Sequence, residues 1–187
     1  MTGDALDGLV VRQPTADDHG RVLAVMDHWW DGLGGPEGVA WRASALPRLF
    51  FQHFSDTSFL LERDGELAGF LIGFMSQREP EEAYIHFVGV APARRGTGVG
   101  ATLYRRFFAL ARARGRRRVR CVTGPANRAS IAFHRAMGFH IEPGDLTVDG
   151  VPVLRGYDGP GLDRVSFVRE LDDPLPASPV IGGGRSR

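Results

Sequence analysis

The sequence has few of the features that mark secreted, disulfide-bonded or membrane proteins. Cys121 is the single cysteine among 187 residues, which excludes a disulfide framework and any multi-cysteine metal site within one chain, and we predict no metal. The longest apolar run, Phe70–Met75, is far shorter than the roughly 18–20 residues of a membrane helix. Residues 1–8 are acidic and lack the apolar stretch of a signal peptide. We therefore expect a soluble, cytoplasmic protein without a membrane partner.

Lysine is absent, so all 23 basic residues are arginines, and against 22 acids they leave a net charge of +1. The distribution is uneven, because the segment between Glu82 and Glu142 contains 12 arginines and no acid. A segment of one sign in a nearly neutral chain indicates an anionic partner. Its densest part, Arg112–Arg120, would suit nucleic acid, but no aromatic residue for base stacking is interleaved in it. We therefore expect no nucleic-acid partner.

The periodicity of apolar residues predicts a mixed order of strands and helices. Helices are predicted after a cap at Thr15 as far as Trp29, and over residues 39–54, 98–114 and 127–137. Strands are predicted over residues 9–12, 58–63, 66–75, 83–91, 119–123, 139–141 and 164–171. Residues 32–38 and 144–161 are expected to be loops. We predict a single domain over residues 1–171, of mixed α/β class, and a disordered tail over residues 172–187.

The segment Val88–Ala101 (VGVAPARRGTGVGA) is the most informative one. A predicted strand ends at a proline, and a glycine-rich turn leads directly into a helix. Glycines let a ligand approach the backbone amides, and a helix N-terminus adds N–H donors that favour phosphate. The spacing matches neither GxxxxGK[ST] nor GxGxxG, the fingerprints of nucleotide sites. On this segment alone, a plain glycine turn is the alternative to a phosphate site.

A second segment, Asn127–Phe139 (NRASIAFHRAMGF), follows the predicted strand Val119–Thr123. Together the two segments give strand–Pro–RGTGVG–helix–strand–N-x-x-S-x-x-F-H-x-x-x-G-F. This order resembles the GNAT acetyltransferase superfamily, whose members carry [QR]-x-x-G-x-[GA] and a later N-x-x-[AS]-x-x-[FL]-Y-x-x-x-G-F. The two motifs span Ala83–Phe139. The resemblance implies a GNAT fold, with a central mixed, mostly antiparallel sheet of about seven strands flanked by about four helices.

The resemblance also implies a function, the acetyl-CoA-dependent transfer of an acetyl group to an amine of a small molecule or peptide. In the family, the glycine turn binds the pyrophosphate of the cosubstrate, and the pantetheine arm pairs with the preceding strand, usually at a bulge, for which Gly89 is suited. Asn127 matches the asparagine that contacts the cosubstrate, with a helix N-cap as the alternative. Arg112–Arg120 would form a rim for the CoA phosphates or solvated surface. The binding residues implied are Val88, Gly89, Val90, Arg95, Gly96, Thr97, Gly98, Val99, Gly100, Ala101 and Asn127.

Three residues are candidates for the chemistry. His134 stands where the family usually has a tyrosine that protonates the departing CoA thiolate, and an imidazole can also donate a proton. Strand alternation places Tyr84 and His86 on one face with Val88 and Val90. Tyr84 replaces the glutamate of histone-type members, whereas His86 matches a histidine of arylalkylamine acetyltransferases and is the preferred base. A structural role is the alternative for both histidines.

The acceptor site should be formed by residues outside the motifs. Trp29, Trp30 and the loop 32–38 lie where the family's first two helices cover the substrate, and Tyr157 belongs to a loop that could close over it. The alternative for the tryptophans is the core. Glu81 and Glu82 are weaker candidates for a base acting through water.

Rival functions remain open at this point. One is a non-catalytic acyl-CoA-binding or regulatory module, suggested by the missing tyrosine and glutamate. Another is a transferase that uses a different acyl-CoA. GNAT domains are often dimers, so a homodimer is one of the oligomeric states that the resemblance leaves open.

Overall fold

The computed structural model describes residues 8–30 and 35–172, and the chain divides into two compact units, residues 1–121 and 122–187. No helix in the described ranges is long and apolar enough to cross a membrane. The predicted tail falls outside the described residues apart from Asp172, as do residues 32–34 of the predicted loop 32–38.

The first unit contains four helices and the first strands of the chain. Its helices are α1 (Asp18–Trp29), α2 (Gly35–Ala45), α3 (Leu49–His53) and α4 (Val99–Ala113). Its strands are β1 (Val10–Arg12), β2 (Phe59–Arg63), β3 (Glu66–Met75), β4 (Glu82–Val90) and the start of β5 (Arg118–Thr123). They pair in the order β1-β2-β3-β4-β5, antiparallel except for the parallel pair β4–β5.

The predicted hairpin of β2 and β3 is confirmed, and its turn explains the register. Asp64 and Gly65 have φ of 53° and 81°, the left-handed conformation at both central residues that suits the twist of a two-residue hairpin. By contrast, the single helix predicted over residues 39–54 is wrong. It is broken at Pro47, because a proline disfavours helical conformation in the residue before it. Helix α2 also begins earlier than predicted, at Gly35.

Helices pack on both faces of this sheet. On one face, α1 buries Val22, Met26 and Trp29 against Phe70 and other apolar residues of the strands. On the other face, α4 lies close to β3 because glycines remove the side chains between them. A Cβ on Gly73 would stand 2.5 Å from the ring of Phe107. The Phe107 ring therefore occupies the space that a larger residue at 73 would need.

A network of charges joins β1, β2 and α1. The Arg12 guanidinium donates to both carboxylate oxygens of Asp18, at 2.6 and 2.7 Å, and to both of Glu62, at 2.7 and 2.9 Å. Asp18 also accepts from the amide and hydroxyl of Thr15 and from Arg21. The hydrogen bonds from Arg12 hold the pKa of Asp18 and of Glu62 below their usual range. The Asp18 carboxylate therefore fixes the N-terminus of α1.

The second unit begins within β5 and contains α5 (Arg128–Ala136), β6 (His140–Ile141), β7 (Leu146–Val148), β8 (Val151–Val153) and β9 (Val165–Glu170). β6 pairs antiparallel with β9, and Arg169 of β9 is buried and donates to the Met137 carbonyl at 3.0 Å. The loop predicted over residues 144–161 is wrong in part, since β7 and β8 form a hairpin there. The mixed α/β class is confirmed, with five paired strands in the described part of the first unit and four, β6 with β9 and β7 with β8, in that of the second.

Candidate active site

The glycine turn presents backbone amides at the start of α4. Gly96 and Gly98 have φ of 76° and 94°, and a Cβ at either would meet nothing within 4 Å, so backbone conformation rather than space requires glycine there. Gly98 is the N-cap of α4 and offers no side-chain cap. The first helical bond is donated by the Thr102 amide to the Gly98 carbonyl at 2.9 Å. The amides of residues 99–101 therefore have no acceptor within the helix, and no acid stands in the first turn.

The side chains of the turn are used to hold it in place. Arg95 donates to the Trp29 carbonyl at 2.8 Å and to the Val90 carbonyl at 3.3 Å, which ties the end of α1 to the end of β4. Thr97 donates through its hydroxyl to the Arg94 carbonyl at 2.7 Å. Since these contacts occupy the side chains of Arg95 and Thr97, the anion-binding capacity of the turn resides in its amides, in the N-terminal end of the α4 dipole and in the charge of Arg94.

Strand β4 has an edge that continues past its pairing with β5. The parallel pairing covers Glu82–Tyr84 opposite Arg118–Arg120, whereas β4 runs on to Val90. Among residues 8–30 and 35–121, no further strand pairs with β4 on that side. Such an edge offers backbone donors and acceptors to an extended ligand.

The predicted bulge exists but lies elsewhere. Ile72 pairs with Phe87 and Gly73 pairs with Ile85, so His86 is the extra residue on β4. This inverts the alternation, and Val88 and Val90 lie on the face opposite Tyr84 and His86, contrary to the prediction that all four share one face. Gly89 is needed for another reason, because its Cβ would stand 2.4 Å from the Phe70 ring.

His86 is half-buried and has two well-defined neighbours. Its Nε2 lies 2.6 Å from the Ala45 carbonyl oxygen, at the end of α2. Its ring stacks on Phe50 of α3, with centroids 4.2 Å apart and planes 14° apart. Tyr84, also half-buried, stacks on Phe74 at 5.4 Å. Sequence reasoning missed Phe50, although the aromatic run of residues 50–54 was the available signal.

The two tryptophans differ in their environment. Trp29 is 6% exposed and stacks on Phe70 at 5.9 Å, which matches the core alternative. Trp30 is half-buried and meets Phe87 edge to face at 6.0 Å. Only Trp30 therefore presents part of its ring to solvent near the half-buried rings of β4.

The arginine run does not border the glycine turn. Arg118 lies within 3.5 Å of carboxylate oxygens of Glu81 and Glu82, Arg120 donates to Glu82 at 3.0 Å, and Arg114 donates to Asp56 at 3.0 Å. The pairs with Glu81 and Glu82 lie where β4 begins, and β4, nine residues and roughly 26 Å long, separates them from Val90, beyond which the chain enters the glycine turn. These three arginines of the run thus form partly exposed ion pairs with acids of the protein, as the alternative of solvated surface allows.

In the second unit, Asn127 is the N-cap of α5. Its side-chain oxygen accepts from the Ser130 amide at 3.1 Å, as the N-cap alternative requires. Tyr157 is 48% exposed. Across the described ranges of the chain, no group of three or more His, Cys, Asp or Glu side chains could hold a metal ion.

His134, about two turns along α5 from Asn127, is 6% exposed and stacks on Phe167 at 4.7 Å. Its Nδ1 lies 2.7 Å from the Ser130 carbonyl oxygen and 3.2 Å from the Ser130 hydroxyl oxygen. Because a carbonyl only accepts whereas a hydroxyl can also accept, the shorter contact places the proton on Nδ1. Desolvation lowers the pKa of His134, although the bond to Ser130 opposes this. At neutral pH the ring is therefore neutral, with its second nitrogen as an acceptor.

Comparison with known proteins identifies the family. The model of the acetyltransferase (GNAT) family matches residues 22–139, so the chain belongs to this family. An L-2,4-diaminobutyric acid acetyltransferase of Nocardia farcinica is 30% identical over 89 residues, 48% of this chain and 46% of that protein. The chain spans about half the length of the curated relatives it matches first.

Solved structures share the fold. A GNAT-family protein of Desulfovibrio desulfuricans superposes with a TM-score of 0.67 at 18% identity, over 87% of this chain and 99% of that one. The diaminobutyrate acetyltransferase of Paenibacillus lautus, solved with L-2,4-diaminobutyric acid and coenzyme A, gives 0.60 at 21% identity, over 89% and 98%. The predicted GNAT fold is confirmed.

Proposed function

We propose that this protein is an acetyl-CoA-dependent N-acetyltransferase that acts on a small-molecule amine. One observation carries the proposal. In the first unit, uncapped amides at the start of α4 occur together with a β4 edge that extends beyond its pairing with β5. A pyrophosphate suits such amides, and a pantetheine arm, with its two amide groups, suits such an edge. Family membership and the named relatives support the same activity.

The cosubstrate would be held mainly by backbone groups. Within residues 95–101, the amides of residues 99–101 would bind its pyrophosphate, because those of Arg95 and Thr97 already donate to the carbonyls of Pro92 and Arg94. Val88–Val90 would pair with its pantetheine arm and polarise the thioester carbonyl. Asn127 is proposed to contact it while capping α5. The thioester supplies the acyl group, so the protein's task is to hold the two reactants in line and to move a proton.

His86 is proposed as the proton acceptor for the attacking amine, with Tyr84 beside it on the same face. His134 is proposed to protonate the departing thiolate. That role requires the imidazolium, because Nδ1 already donates to Ser130 and only a second proton, on Nε2, could be transferred. Burial disfavours this form, so the step through His134 would be most effective below neutral pH.

The acceptor is proposed to lie against the half-buried rings of Trp30, Phe50 and Phe87. Aromatic faces suit the apolar body of an amine and attract its cationic head. One relative is named for the acetylation of L-2,4-diaminobutyric acid, which supports a small molecule over a peptide as acceptor.

Calorimetric titration with acetyl-CoA, with ATP as the comparison, tests the binding site. Saturable one-to-one binding of acetyl-CoA and much weaker binding of ATP are expected. A panel of amines, assayed for release of free thiol, then tests the reaction. Binding without thiol release from any amine would instead favour the rival, a non-catalytic acyl-CoA-binding module. Failure to bind acetyl-CoA at millimolar concentration would contradict both.

A further inference from the structure

Two histidines meet the C-terminal end of α2. His86 of β4 faces the Ala45 carbonyl at 2.6 Å, and Nε2 of His19 of α1 faces the carbonyl of the next residue, Leu46, at 3.0 Å. Carbonyl groups at the end of a helix have no donors within it, so side-chain donors stabilise them. Two different elements therefore hold consecutive peptide groups at this helix end.

The contact with Ala45 fixes the protonation pattern of the His86 ring. A carbonyl oxygen only accepts, so Nε2 must carry a proton. In the neutral ring the other nitrogen, Nδ1, is then the basic atom. The imidazolium carries protons on both nitrogens and keeps the same bond.

We propose that the C-terminal end of α2 is the group that orients His86 and sets its tautomer. One ring nitrogen holds the helix, and the other accepts the proton of the acceptor amine. In that step an N–H bond of the amine breaks, an N–H bond forms at Nδ1, and the imidazolium later returns the proton to water. The proton transfer rests on the proposed function, whereas the tautomer does not.

The tautomer can be measured without any assay of activity. In protein with ¹⁵N-labelled histidine, nitrogen chemical shifts distinguish protonated from unprotonated ring nitrogens, and the His86→Gln variant assigns the signals. Near neutral pH we expect the neutral form of His86 to carry its proton on Nε2. A proton on Nδ1 would overturn the proposal.

Two variants separate the tasks of the two nitrogens. Glutamine places an amide nitrogen near the position of Nε2, whereas asparagine places one near Nδ1. Both His86→Gln and His86→Asn should lower kcat by about 100-fold, the usual effect of losing a general base. Only His86→Asn should also raise the KM of the acceptor, by about fivefold, the effect of losing one hydrogen bond, and lower the melting temperature. Equal KM and equal melting temperature in the two variants, or an unchanged kcat in both, would overturn the proposal.

His19 provides the matched control, because it holds the same helix end from α1. His19→Gln should leave kcat unchanged, and His19→Asn should lower the melting temperature without a loss of kcat comparable to that of the His86 variants. A loss of kcat in His19→Gln as large as that in His86→Gln would overturn the assignment of proton transfer to His86. If the native protein acetylates no amine, the proposed function fails, and the nitrogen shifts and melting temperatures still test the anchoring of α2.

Discussion

The two ends of β4 differ in how their polar groups are satisfied. Where the strand begins, Glu81 and Glu82 meet Arg118 and Arg120, and the charges compensate one another within the protein. Where it ends, the glycine turn leaves the first amides of α4 without acceptors. The densest run of positive charge therefore does not mark the anion site. The anion site is marked by unsatisfied backbone donors instead, because the carboxylates beside the paired arginines offset most of their positive potential.

The largest expected effect tests the turn itself with a matched pair of glycines. Gly98 at the start of α4 and Gly115 beyond its end both have positive φ, 94° and 75°, and open space around a Cβ. Valine at either position should cost about 2 kcal/mol of stability, because a β-branched residue is strained there. Only Gly98→Val should also weaken the binding of acetyl-CoA, by about 100-fold in calorimetry. Comparable weakening by Gly115→Val would contradict the assignment of the anion site to the turn at the start of α4.

The sequence predicted the glycine turn, the family and most elements, because each depends on neighbouring residues. Contacts between distant segments were not predictable in this way. The pairing of Arg118 with Glu82 joins residues 36 apart, and the bulge at His86 is a shift of one residue in the register of two strands. A local pattern of alternation cannot encode either feature.

The missed hairpin of β7 and β8 is a different case. Asp149 and Gly150 have φ of 49° and 77° and carry the Asp-Gly signal of a two-residue turn. The prediction missed this turn because its two strands have only three residues each and lie within a glycine-rich segment. Here the sequence contained the information, whereas the burial of His134 and its bond to Ser130 depend on packing that no local pattern shows.

Ion pairs should make the stability of the fold depend on pH, whereas the backbone amides of the turn should not. The ion pair of Asp18 with Arg12 tests this contrast. Asp18→Asn should lower the free energy of unfolding by about 2 kcal/mol at pH 7, because it removes charged hydrogen bonds from Arg12. The lowered pKa of Asp18 means that its contribution is present above the unfolded pKa, about 3.9, and is lost as pH falls below it. Urea unfolding at pH 7 and pH 3 should show a smaller loss on acidification in the variant. An equal loss in both proteins would count against this linkage.

Chemistry can be separated from binding at His134. Phenylalanine should keep the stacking on Phe167 but remove both ring nitrogens. If His134 protonates the thiolate, His134→Phe should lower kcat by about tenfold near pH 6 and less at pH 8, since a lowered pKa leaves little imidazolium at the higher pH. The dissociation constant of acetyl-CoA should stay within about twofold of the native value. A native kcat at both pH values would make His134 a packing residue.

The smallest effects compare one arginine at each end of β4. Arg94 stands within the turn, and Arg118 stands among the acids at the other end. Arg118→Met should leave the affinity for acetyl-CoA within about twofold and reduce the free energy of unfolding by about 1 kcal/mol or less, as is usual for partly exposed ion pairs. Arg94→Met should weaken binding by about fivefold with little change in stability, because a cation beside a phosphate contributes about one charged hydrogen bond. The reverse pattern, weaker binding in Arg118→Met alone, would show that the arginine run binds the cosubstrate. The functional end of β4 would then be the one where the strand begins.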